Sequence, residues 1–158
     1  MNKGTSGSAS IRIAAPPEHV YAVVSDVTRM GEWSPECRRC EWADGATGPA
    51  VGARFRATSQ NRFARWSNKP KVVTAETGRE FAFVAGALGQ EMTRWTYKFE
   101  PVDGGTEVTE SFEMLQDRPW HFALPTVVLM GINDRKANLE TNMAETLRRL
   151  KAVIENPA

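Results

Sequence analysis

The sequence predicts an α+β domain: a strongly curved antiparallel β-sheet wrapped around a long C-terminal α-helix, with two short helices after the first strand. Three observations carry this expectation. After Gly131 the chain runs to Glu155 without glycine or proline, and Ile132, Leu139, Met143, Leu147, Leu150 and Ile154 recur on one helical face. Residues 37–115 are punctuated like sheet, with Asp44-Gly45, Gly48-Pro49, Gly52, Pro70, Gly78, Gly86, Gly89 and Asp103-Gly104-Gly105 separating runs of β-type composition. Between the opening strand and this region lies one short helical hook.

Taken in order, residues 1–8 are rich in Gly, Ser and Thr and are expected to be flexible, leaving 9–158 as the domain. Ser10-Ile11-Arg12-Ile13-Ala14 alternates as a strand does. Pro16, Pro17 and Glu18 suit a first helical turn, and Val20, Val23, Val24 and Val27 follow at helical spacing, so 16–27 reads as an amphipathic helix. Thr28 to Pro35 reads as a further turn or second short helix. Strands are expected near 37–43, 53–66, 69–76, 79–85, 91–101 and 105–115. For the last helix, Asn133 or Asp134 supplies a start and Asn156-Pro157 a stop. Some ~25 residues at 1.5 Å rise make it roughly 37 Å long.

The bulk properties exclude more than they assign. The chain has 158 residues, 41% of them hydrophobic and 25% charged, and its net charge of +1 creates no global field toward nucleic acid or anionic membrane. The opening MNKGTSGSAS lacks the apolar run of a signal peptide, and no uninterrupted apolar stretch is long enough to span a bilayer. A cytoplasmic protein without stable membrane insertion is the expectation. Arg54, Arg56 and Arg62 share a strand face without partnering aromatics, which reads as solvated surface and not as an RNA platform. There is no glycine-rich phosphate loop and no Gly-x-Ser-x-Gly elbow.

Both cysteines lie in Cys37-x-x-Cys40, within "EWSPECRRCEW". A redox pair of this spacing wants a helix N-terminus, whereas the chain after Pro35 is predicted to be extended. Residues three apart on a regular strand face opposite ways, so Cys40 is expected to pack and Cys37 to be incidental. A zinc site needs about four ligands, and His19 and His121 are badly spaced to help, so no metal is expected.

Several stretches together resemble a known family. They are "SIRIAAPPEHVYAVVSDVTRMGEWSP", with Trp33-Ser34-Pro35 after the hook, "RFARWSNKPKVVTAETGREFAFV", and the terminal "NLETNMAETLRRLKAVI". They resemble the START-like, helix-grip (SRPBCC) superfamily, especially its bacterial polyketide cyclase/dehydrase and lipid-transport group. The resemblance covers about residues 8–155. It implies an apolar cavity between sheet and long helix that holds a lipid, polyketide or similar hydrophobic molecule. No cofactor is expected, and the chain is expected to be a monomer or homodimer.

Strand parity suggests which residues would line such a cavity. In 105–115, Val108, Phe112 and Met114 share a face, and Glu110 lies among them, where a carboxylate is costly unless paired or protonated. Along 53–66, Phe55, Ala57 and Phe63 share a parity with Ser59, Asn61 and Arg65, making Arg65 a candidate partner for Glu110 or for a ligand's oxygens. Trp95, Tyr97 and Phe99 alternate on one strand, as do Phe81 and Phe83 on another, and the hydroxyl of a buried Tyr97 needs a partner. The candidate ligand contacts are therefore Trp33, Phe55, Ser59, Asn61, Phe63, Arg65, Phe83, Trp95, Tyr97, Glu110, Phe112, Trp120, Leu139 and Met143, with Arg65, Glu110 and Tyr97 as candidates for acid–base chemistry.

The segment 115–130, "LQDRPWHFALPTVVLM", is apolar for a connection, with Trp120, Phe122, Leu124, Val127, Val128 and Leu129. It reads as a lid over the cavity, a dimer contact, or an extension of the core, with His121 a possible base at the opening. Three functions remain open from the sequence: a carrier or sensor of a hydrophobic molecule, a polyketide cyclase/dehydratase, and a protein-interaction module acting through 115–130.

Overall fold

The computed structural model describes residues 1–157, with residues 122–126 described by their backbone alone. Among the described residues, eight strands form one antiparallel sheet in the order β1-β8-β7-β6-β5-β3-β2, with β4 paired to β3 off this path. The strands are β1 (Ser6–Ile13), β2 (Cys37–Ala43), β3 (Arg54–Asn61), β4 (Ala64–Asn68), β5 (Lys71–Glu76), β6 (Glu80–Ala87), β7 (Gln90–Val102) and β8 (Gly105–Met114). The helices are α1 (Pro17–Ser25), α2 (Ala123–Met130) and α3 (Arg135–Glu155), and a 3₁₀ turn, Val27–Glu32, follows α1. This is the helix-grip architecture: a curled sheet holding a long helix.

The inner face follows from alternation. On β8, Thr106, Val108, Glu110, Phe112 and Met114 are all buried, and Glu107 and Glu113 between them are exposed. Tyr97 and Phe99 on β7 and Phe81 and Phe83 on β6 continue that face. Onto it α3 lays Leu139, Met143, Leu147, Leu150 and Ile154. Gly7 on β1 permits the approach, because a Cβ there would lie 2.7 Å from Glu140 Oε1 and 2.9 Å from Phe112 Cε1. The apolar packing falls into two clusters. The larger joins α1 and the inner sheet to the C-terminal half of α3 through Val20, Phe81, Val108, Leu147 and Leu150. The smaller gathers Phe112, Met114, Leu139 and Met143 under the first half of α3. Glu110 lies between Val108 of one and Phe112 of the other.

Of the two expected start residues for the long helix, Asp134 is the one used. α3 begins at Arg135, and Asp134 caps it by accepting a hydrogen bond from the Ala137 amide at 3.1 Å. Replacing Asp134 with Ala should cost about 1 kcal/mol, read as a lower midpoint in urea with an unchanged slope.

Three expectations are corrected. Residues 1–8 do not all fray: β1 starts at Ser6, opposite Glu113, and the Gly4 amide donates to the Met114 carbonyl at 2.8 Å. The expected strand 53–66 is two strands, turning at Arg62-Phe63 with Arg62 in the left-handed region at φ 53°. Its guanidinium stacks 5.2 Å from the centre of the Phe63 ring. The two cysteines do not diverge. The pairing of Cys37 with Ser59 and Arg39 with Thr58 leaves Arg38 as an extra residue, a bulge that turns Cys37 and Cys40 to the same buried side.

Candidate functional site

Between the inner face of the sheet and the first half of α3 lies a cavity of about 820 Å³. Its size is that of a small-molecule site. The strands supply Phe55, Phe83, Trp95 and Tyr97, and α3 supplies Leu139 and Met143. Exposed Phe63 and Arg65 also line it, so it reaches the surface beside the β3–β4 hairpin. There the Phe63 amide donates to the Leu129 carbonyl at 3.1 Å, tying the hairpin tip to the end of α2.

Glu110 lines this cavity. Its exposure is 4%, and the Tyr97 hydroxyl donates to its Oε1 at 2.8 Å. Oε2 has no hydrogen-bond partner. Burial disfavours the carboxylate and raises the pKa of the group from 4.5 to about 8, against the opposing effect of the Tyr97 hydrogen bond. At neutral pH Glu110 is therefore mainly a carboxylic acid. With Oε1 accepting from Tyr97, the proton belongs on Oε2, which becomes a donor. The phenol of Tyr97 is itself pushed well up, first by burial and then by the neighbouring Glu110.

A second polar group also borders the cavity. Glu36, just before β2, accepts two hydrogen bonds from Arg135 at 2.7 and 3.0 Å, one from Asn61 at 2.8 Å and one from Asn142 at 3.1 Å. Glu36, Arg135 and Asn142 line the cavity, as does Arg118, whose guanidinium is held below its usual range by burial and by Arg135. This cluster ties the start of α3 to the sheet.

The candidate contacts named from sequence divide accordingly. Phe55, Ser59, Phe63, Arg65, Phe83, Trp95, Tyr97, Glu110, Leu139 and Met143 border the cavity. Trp33 is fully buried in the larger core cluster, and Phe112 is buried behind Trp95, ring centres 5.8 Å apart. Asn61 is engaged by Glu36. Trp120 is 86% exposed, with His121 edge-on against it at 5.8 Å. Arg65 is not the partner of Glu110, because the unexpected turn places it on β4, opposite Gln60. Of the apolar connection, Val127, Val128 and Leu129 are exposed, and Leu129 and Met130 border the cavity. The side chains of Phe122 and Leu124 lie outside the described residues. The sequence reading missed Glu36, Arg118, Arg135 and Asn142.

A curled sheet gripping a helix around an internal cavity defines a helix-grip protein, and the comparisons narrow this further. The chain belongs to the family described as polyketide cyclase / dehydrase and lipid transport, which matches residues 5–155. It is similar to a Polyketide_cyc-like protein from Corynebacterium glutamicum, at 34% identity and a TM-score of 0.63 over 98% of this chain and 94% of that one. The fold is shared with the di-domain ARO/CYC StfQ of the steffimycin biosynthetic pathway, at 17% identity and a TM-score of 0.71 over 95% of this chain and 50% of that one. It is shared too with MLL2253 from Mesorhizobium loti, at 14% identity and a TM-score of 0.69 over 98% and 99%. No curated protein matches the sequence. Among the described residues, no helix is long and apolar enough to cross a membrane.

Proposed function

We propose that the protein binds a hydrophobic small molecule bearing at least one acceptor oxygen, such as an oxygenated lipid or polyketide, as a carrier or sensor. The observation that carries this is Glu110: a buried acid on the wall of an apolar cavity, with one oxygen engaged by Tyr97 and the other unpaired. A protonated Oε2 donates to a ligand carbonyl or hydroxyl, and the aromatic and aliphatic walls supply the affinity. Native mass spectrometry followed by organic extraction tests it. A stoichiometric hydrophobic adduct is expected. Glu110→Leu, which keeps the volume and loses the donor, should weaken an oxygenated ligand about tenfold and leave a pure hydrocarbon unaffected. If no adduct is found and a panel of lipid and polyketide-like ligands leaves the melting temperature unmoved, the reading fails.

A second reading, a cyclase/dehydratase, is favoured by the same acid. A group that titrates near 8 can both give and take a proton at neutral pH, as an aldol-type closure and loss of water require. ARO/CYC proteins among the structural neighbours are consistent with it. Incubation with a poly-β-ketone thioester should then yield a cyclised product, absent in Glu110→Gln, while Glu110→Gln still binds the substrate. Binding without turnover by the native protein leaves the carrier reading alone.

A further inference from the structure

Ligand binding makes no use of the two cysteines that the bulge at Arg38 turns inward. Their Sγ atoms are 3.1 Å apart, and both side chains are buried, at 6% and 5% exposure. A disulfide needs an S–S distance of about 2.05 Å, so closure requires roughly 1 Å of approach. The bulge supplies a place for it, since Arg38 has no partner residue on β3 and its peptide units can adjust without breaking the register on either side. The two sulfurs are not equivalent. Cys37 lines the cavity, which reaches the surface at Phe63 and Arg65, whereas Cys40 lies behind it with Sγ 3.9 Å from Met30 Sδ.

We propose that Cys37 and Cys40 form a reversible dithiol–disulfide couple in the cavity wall, oxidised by low-molecular-weight disulfides that reach Cys37 through the cavity. The Cys37 thiolate attacks one sulfur of the small disulfide, forming a mixed disulfide and releasing the first small thiolate, which takes up the proton lost by Cys37. Cys40 then attacks Cys37 Sγ, forms the internal disulfide and expels the second small thiolate, which takes the proton of Cys40. One small disulfide is reduced to two thiols, and two protein thiols become one disulfide. The electrostatics agree with this order. The hydrogen bond from Cys40 and the nearby Arg38 hold the Cys37 thiol below its usual range, while Cys40 is pushed up by the same contact and by burial. The couple does not depend on which molecule the cavity binds, although a bound molecule would close the route to Cys37.

The test uses the full chain in glutathione buffers of graded oxidation, quenched by acid and alkylation and read by intact mass. The native protein should lose two hydrogens and both alkylation sites, reversibly, without forming dimers. Cys40→Ser should accumulate one glutathionyl adduct on Cys37, and Cys37→Ser should gain none under the same conditions. If the folded native protein keeps both thiols in oxidised glutathione that converts the urea-unfolded chain, the couple does not exist. Equal labelling of the two variants, or disulfide-linked dimers in place of the internal bond, would equally overturn it.

Discussion

Glu110→Gln should become more stable than the native protein as the pH rises. Folding raises the pKa of Glu110 from 4.5 to about 8, so between these values the folded chain holds a proton that the unfolded chain has released. Its contribution is fully present below about pH 4.5 and is lost as the pH rises through the folded value. Each pH unit in that window carries about 1.4 kcal/mol, so the loss between pH 5 and pH 8 reaches up to about 4 kcal/mol. Glutamine has the same shape and no proton to lose. Urea titrations at pH 5, 7 and 9 should therefore give two curves that nearly meet at pH 5 and diverge by about 4 kcal/mol at pH 9. For a chain of this size that is roughly 8–16 °C in melting temperature. Parallel pH profiles would mean that Glu110 is solvated. The same titration governs the ligand: a bound carbonyl should be released above pH 8, where the donor becomes an acceptor.

The second large effect belongs to Glu36. Its side chain is 16% exposed and that of Arg135 is 15%, so the pair is mostly removed from water. Glu36→Ala takes the acceptor from Arg135, Asn61 and Asn142 together, and leaves a guanidinium half-stranded at the start of α3. Removing one partner of a buried pair costs about 3–5 kcal/mol, and the residual exposure here brings the expectation to about 2–3 kcal/mol. Glu36→Gln, which keeps an acceptor oxygen, should recover part of that. Because these contacts hold α3 to the sheet beside the cavity, Glu36→Ala should also speed ligand release, measurable by stopped-flow displacement. Stability within about 0.5 kcal/mol of native, the scatter of surface substitutions, would show the cluster to be ornamental.

How far the sequence was legible follows from which residues obey a period. β8 alternates without interruption, so Glu110 could be placed on the inner face from Val108 and Phe112 alone, and Tyr97 similarly from Trp95 and Phe99. The long helix was legible from its one apolar face. What broke the reading were local irregularities with no residue signal. The turn at Arg62-Phe63 contains neither glycine nor proline, so two strands read as one and Arg65 was assigned a partner it cannot reach. The bulge at Arg38 is equally silent, and it reverses the relation between the cysteines. Arg135 did carry a usable hint. A cation in the first turn of a helix opposes the helix dipole, which points to an acidic partner elsewhere in the chain.

The pairing of β1 with β8 has a consequence for the order in which the molecule is made. Ser6 lies opposite Glu113 and Ile13 opposite Thr106, so β1 waits during synthesis for β8, seven strands later, before it has a neighbour. Until α3 follows, Phe112 and Met114 lack the Leu139 and Met143 side chains that pack on them. Contacts this distant in sequence make for slow closure. A chain cut before Arg135 would keep the sheet's hairpins but lose the helix they grip, and with it one wall of the cavity.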